Sequence, residues 1–181
     1  MHNNNVLQNN DLQLIQRRKG MSIRSAVKVI VIKDEKILLI KYISESGVVY
    51  YELPGGGQEQ FEEMEDTARR EFLEETGLNI HIRRFAAIAE EIFRDEALRR
   101  YYPNYAHRIH HIYMADLISD DITVEKDIVL DKNQIGCEWV PIEQISKIYL
   151  IPQQIREHFN EVINSNHPVY LGTAYETAEF M

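Results

Sequence analysis

At 181 residues the chain has room for one well-buried core and is short for two, and its 44% hydrophobic and 27% charged residues are those of an ordinary soluble globular protein. A net charge of −9 disfavours generic binding to DNA, RNA or an anionic membrane, so an anionic substrate needs metal ions or local arginines to offset the field. Cys137, the single cysteine, excludes an intrachain disulfide and fits a reducing cytoplasm, and no run approaches the roughly 20 apolar residues of a membrane span.

Residues Met1 to Gly20 are rich in Asn and Gln, with a basic cluster at Arg17, Arg18 and Lys19. They read as a polar extension outside the core. A partner-binding arm is the alternative, through Leu7, Leu12, Leu14 and Ile15. From Ser22 to Lys33 the β-branched run SAVKVIVIK predicts a central strand. Asp34 and Glu35 make a polar turn, and KILLIKYI returns. Val48 to Leu53 forms a third strand, with Tyr50 and Tyr51 on opposite faces, and it delivers the chain into Gly55, Gly56 and Gly57.

Three glycines in a row let the backbone turn sharply and approach a ligand closely, exposing carbonyls and amides to metal or phosphate. Read alone, they also fit a plain turn. A helix follows over Met64 to Thr76, stopped by Gly77, with Ala68 and Phe72 inward. At roughly 100° per residue, Glu71, Glu74 and Glu75 fall within about a 100° arc of that helix. Three carboxylates on one face repel each other, so a cation is expected over them; hard oxygen donors suit Mg²⁺ or Mn²⁺. The bland alternative is a solvated acidic face, which explains neither the glycines nor the offsets.

Leu78 to Arg94 reads as one or two strands. The segment RDEALRRYYPNYAHR is too irregular for a core element and too aromatic for a passive linker. Its Arg94, Arg99, Arg100, Arg108, Tyr101, Tyr102 and Tyr105 are candidates for nucleotide contacts, arginine to phosphate and tyrosine to base; a surface loop with packed tyrosines is the alternative. His107, His110 and His111 precede the strand IYMADLI. Were they in the strand, His107 and His111 would lie roughly 13 Å apart, too far to grip one ion. Ser119 to Gly136 is an acidic connection with a short strand expected at Ile128 to Leu130. Glu138 to Val140 is read as a last strand, with Cys137 a small buried residue at its start and Trp139 in the core. A short helix begins at Pro141. Pro152 opens a terminal helix whose stripe is Ile155, Phe159, Val162 and Ile163. The aromatic segment after Pro168 packs on the body or on a partner.

Strands, a helix, more strands and a terminal helix predict an α/β or α+β arrangement, a sheet between helical layers. Within it, Gly56, Glu62, Arg70, Glu71, Phe72, Glu74, Glu75, Gly77 and Leu78 stand at the spacing of the Nudix box, and the chain resembles a Nudix hydrolase at every defining position. The resemblance implies the Nudix fold, an α/β/α sandwich around a mixed β-sheet, over a domain at 21–165 that leaves 166–181 as a tail. It implies a Glu62–Arg70 ion pair bracing loop to helix, and metal held by Glu71, Glu74, Glu75 and the Gly55 carbonyl. It also implies hydrolysis of a nucleoside diphosphate linked to another group, with Glu74 or Glu75 as base and Glu125 in reserve. Gly56, Gly57, Tyr51, Arg94, Arg100, Tyr102 and Arg108 are the candidate substrate contacts. No clear subgroup signature accompanies the box, so the substrate lies between a nucleoside triphosphate and a nucleotide sugar, ADP-ribose included. Removal of pyrophosphate from RNA 5′ ends and a non-catalytic nucleotide sensor are the competing functions; the resemblance alone suggests a homodimer, and nothing in the sequence establishes one.

Overall fold

The β-branched run forms β1 (Arg24–Lys33), and Asp34 and Glu35 fold it back as β2 (Lys36–Ile43). In the computed structural model, which describes residues 23–118 and 133–176, both turn residues are left-handed, with φ of 49° and 57°. That geometry matches the twist of a two-residue hairpin. The chain continues through β3 (Val49–Glu52), α1 (Met64–Thr76), β4 (Ile80–Phe93), α2 (Glu96–Tyr101) and β5 (His107–Leu117). After β6 (Gln134–Pro141) come a 3₁₀ turn (Ile142–Lys147), β7 (Leu150–Ile151), α3 (Gln154–Asn164) and β8 (Val169–Glu176).

The sheet order is β7-β3-β2-β1-β5-β4-β8, with β6 paired to β2. β1 runs parallel to β5, β4 to β8 and β3 to β7, while the other pairs are antiparallel. This is the mixed sheet that the resemblance implied. Apart from Lys28, the interior of β1 from Ala26 to Ile32 is apolar because both of its faces are covered. Val27, Val29 and Val31 pack with Ala68 and Phe72 of α1, whereas Ile30 packs with Ile155, Phe159 and Val162 of α3. Each such large side chain, fully buried, contributes about 1.5–3 kcal/mol. The two helices thereby clamp the sheet and fix α1 against β1.

Several expectations change. Of the one or two strands expected in residues 78–94, the structure has one, 14 residues long with two register shifts. β5 begins at His107, so the histidines are strand residues. Glu138–Val140 belongs to an eight-residue strand that is not the last, because β7 and β8 follow. α3 starts two residues beyond Pro152. Cys137 is exposed rather than buried, on a strand whose one pairing among the described residues is with β2, at the side of the sheet. The segment set apart as a tail pairs with β4 as β8, and Leu171 enters the main core. The polar extension, Glu125 and the strand expected at Ile128 to Leu130 lie outside the described residues.

Candidate active site

The glycine segment does not turn away from the sheet. It lies antiparallel along β1, where the Val29 amide donates to the Pro54 carbonyl at 2.9 Å, Val27 to Gly56 at 2.8 Å, and Gln58 to Ser25 at 3.1 Å. These bonds satisfy amides that β1 would otherwise leave unpaired. They also bring the loop so close that a Cβ at Gly55, whose φ is 130°, would stand 2.1 Å from the Val27 carbonyl oxygen. Only glycine fits there. A Cβ at Gly56 would stand 2.3 Å from the Glu71 carboxylate, so the missing side chain is what lets that carboxylate meet the backbone.

Gly55 is held from both ends. Its N–H donates to Glu75 Oε2 at 2.8 Å, and its carbonyl accepts from Lys28 Nζ, also at 2.8 Å. Lys28 is paired with Glu52 at 3.0 Å. Burial pushes the Glu75 carboxyl up to about 7, against the opposing influence of Lys28 and the Gly55 N–H. A carboxylate so placed is poised to exchange a proton near neutral pH.

Arg70 and Glu62 form the brace. Glu62 Oε1 accepts from Arg70 Nε at 2.8 Å and Oε2 from Nη2 at 2.9 Å, a bidentate pair. Arg70 also donates to the Gly57 carbonyl at 3.2 Å, to Glu71 at 2.8 Å and to Glu74 at 3.5 Å. Its five N–H groups are all engaged. Glu62 further accepts from the Glu59 amide and the Thr67 hydroxyl, and with Arg70 foremost these bonds hold its carboxyl down at about 2.

Next to this brace Phe61 is 97% exposed with a left-handed φ of 71°. Its ring gains nothing from burial, while its backbone carries strain. Phe61→Gly is therefore expected to raise Tm by about 1–3 °C, strain relief outweighing the added freedom of the unfolded chain. Thermal melts check this; a lower Tm would mean that the ring makes stabilising contacts.

Glu71, Glu74, Glu75 and the Gly55 carbonyl offer hard oxygen donors of the kind that suit Mg²⁺ or Mn²⁺. The cradle at Gly56 places one of them against the backbone. As they stand, Glu71 and Glu74 lean on Arg70, and among the described residues no three His, Cys, Asp or Glu side chains are gathered tightly enough to hold an ion. Sharing one ion would need Glu71 and Glu74 to turn away from Arg70.

The candidate substrate contacts divide. Tyr51 packs its ring against the main core and donates its hydroxyl to Glu138 at 3.2 Å. Tyr50 instead shares the Glu52 side of β3 and stacks on Tyr42 at 5.1 Å; burial, then the charges of Glu52 and Tyr102, push its hydroxyl up to about 12. Arg94 lies over the Tyr175 ring at 3.9 Å, and Arg100 is an exposed partner of Glu96. Asp95 caps α2 from its N-terminus, which orders the segment expected to be irregular. Tyr102 packs with Phe93, Leu98 and Ala106, and Arg108 reaches over Phe93 while pairing with the fully buried Glu91. The structure thus joins Tyr102 and Arg108 through Phe93 and turns Arg94 and Arg100 elsewhere.

His110 also bonds Glu91, at 3.1 Å, and burial holds its pKa down, with Arg108 and Lys28 adding to that effect. His107 bonds Glu90, and His111 lies 3.3 Å from the Ala26 carbonyl. The three histidines do not converge. Sequence reasoning missed Lys28, Glu52 and Arg24, whose guanidinium lies against Gly57 and over Tyr105 at 4.4 Å. For Lys28 the signal was present: one charged residue inside a strand that is otherwise apolar.

A family model described as "NUDIX domain" matches residues 22–161. "Nucleoside triphosphatase NudI" of Enterobacter sp. (strain 638) is 31% identical over 129 residues, covering 70% of this chain and 88% of the relative. Its namesake in Klebsiella pneumoniae (strain 342) is 31% identical over 124 residues, covering 67% and 84%. Among solved structures, a NUDIX hydrolase from Nitrosomonas europaea superposes with a TM-score of 0.59 at 20% identity, covering 77% of this chain and 90% of that one. An ADP-ribose pyrophosphatase from Streptococcus suis gives 0.55 at 16%, covering 82% and 99%. Likenesses at these identities speak to the fold. The family match, the relatives above 30% and the helix-and-glycine geometry lead to one conclusion: the chain belongs to the Nudix hydrolase family and is a pyrophosphohydrolase.

Proposed function

We propose that the protein hydrolyses a pyrophosphate bond of a nucleoside triphosphate with Mg²⁺ as its metal. The observation that carries this reading is the buried Glu75 carboxylate, with its pKa near neutrality, bonded to Gly55 at 2.8 Å. The choice of a triphosphate over a nucleotide sugar is supported by the relatives named nucleoside triphosphatase, which match most of their own length.

Glu71, Glu74 and Glu75 would hold the ion, with Gly55 supplying a carbonyl. When bound, Mg²⁺ would supply positive charge against the phosphates and Lewis acidity toward the attacking water. The residues do the rest. Gly55, Gly56 and Gly57 bring backbone to the diphosphate without side-chain interference. Glu62 and Arg70 keep that loop in register with α1. Glu75 takes the proton of the attacking water as its oxygen bonds to phosphorus and the bridging P–O bond breaks.

The test is release of phosphate or pyrophosphate across a panel of nucleoside triphosphates, ADP-ribose and 5′-triphosphorylated RNA. Turnover should be greatest with a nucleoside triphosphate, vanish with chelator and return with Mg²⁺ or Mn²⁺. Chelator-resistant hydrolysis would sink the mechanism. Binding without turnover across the panel would favour a nucleotide sensor.

A further inference from the structure

Among the described residues three cations touch the glycine loop, and they are not equivalent. Arg70 has spent its five N–H groups on Glu62, Gly57, Glu71 and Glu74. Arg24 lies at the outer end, against Gly57 and the Tyr105 ring. Lys28 reaches Gly55 itself, the residue whose amide holds Glu75. Its side chain is 8% exposed and rises from the middle of β1, where an apolar residue would pack at no electrostatic cost. Its ammonium has three hydrogens; one goes to the Gly55 carbonyl and one to Glu52, and among the described residues the third takes no protein acceptor. Glu52, Glu71 and Glu75 lie close enough at this corner to act on one another, so a phosphate entering it meets mostly negative charge.

We propose that Lys28 is the protein's own cation at the diphosphate, donating its third ammonium hydrogen to a phosphoryl oxygen of the substrate beside Gly55 and Glu75. This rests on the pyrophosphohydrolase reading above and adds to it a substrate contact supplied by β1. Glu52 and the Gly55 carbonyl fix the ammonium, so little side-chain freedom is lost on binding.

Calorimetry with α,β-methylene-ATP and Mg²⁺ tests it on the full chain. Lys28→Met leaves Glu52 without its partner and can weaken the fold, so the deciding protein is Lys28→Met/Glu52→Gln, which removes both charges. Wild type is expected to bind and the double variant to bind at least tenfold more weakly, the loss of one charge-assisted bond. Lys28→Arg should recover part of that loss. Mn²⁺ affinity, read by electron paramagnetic resonance, should not fall by more than about threefold, since loss of the ammonium leaves the Gly55 carbonyl at least as free to meet the ion. Wild-type nucleotide affinity in the double variant would show that Lys28 only balances Glu52, and an equal loss of Mn²⁺ would show a damaged metal site; either overturns the proposal. Absence of nucleotide binding by the wild type would instead remove the functional reading, and this proposal with it.

Discussion

Glu75→Gln should lower kcat at least about a hundredfold while unfolding no more easily than the wild type at pH 8. The rate loss is that of one general base. The stability half follows from linkage. The folded-state pKa of Glu75 is raised from 4.5 to about 7, so the folded protein binds the proton more tightly than the unfolded chain. Stability therefore falls as pH rises between those values, and the penalty is fully present above about 7. It amounts to something on the order of 3 kcal/mol, which the neutral amide escapes while still accepting the Gly55 N–H. Melts without divalent metal, together with kcat at saturating nucleotide, check both halves. Near wild-type kcat would remove Glu75 from the chemistry.

Gly55→Ala should be the most damaging single methyl group in the loop. The new Cβ would lie 2.1 Å from a backbone oxygen, not from a side chain able to swing aside, and φ is 130°. The loop must therefore peel from β1 and surrender the bonds to Glu75 and Lys28. A loss of at least about 3 kcal/mol is expected, from strain and lost bonds together. A fall in kcat/KM beyond a hundredfold should accompany it, because displaced catalytic groups lose their alignment. Gly47→Ala is the control: it also has positive φ, but nothing lies within 4 Å of its Cβ, so only modest strain is added. Urea unfolding and steady-state rates compare them. A stable, active Gly55→Ala protein would mean that the tight approach to β1 is dispensable.

The parts legible in the sequence are those encoded locally. The span of α1 emerges as expected because glycine, glutamate and apolar spacing all act within a few turns, and Gly77 caps the helix through its bond to Leu73. The Glu62–Arg70 pair lies within the same stretch. What escaped depends on distant partners. β8 needs β4, some eighty residues earlier, before its alternation has a face to bury. Tyr50 and Tyr51 could be assigned to opposite faces, but which face met the site depended on where the core placed Tyr51. Arg94 and Arg100 looked free in sequence; Tyr175 and Glu96 claim them in space. Cys137 seemed apolar enough for the interior, yet nothing in its own neighbourhood reveals that β6 has a single sheet neighbour among the described residues.

The Glu62 carboxyl, held at about 2, and the Glu75 carboxyl, raised to about 7, belong to one loop-and-helix unit. Between those values lies a broad acidic range in which Glu62 keeps its charge and Glu75 has lost its own. Acidification thus silences the reactive group before it loosens the frame, because the stability that Glu62 provides is whole above about 4.5 and is lost as pH falls from there through about 2. Two copies of the same side chain have been given separate trades by their surroundings, one as a rivet and one as a proton carrier.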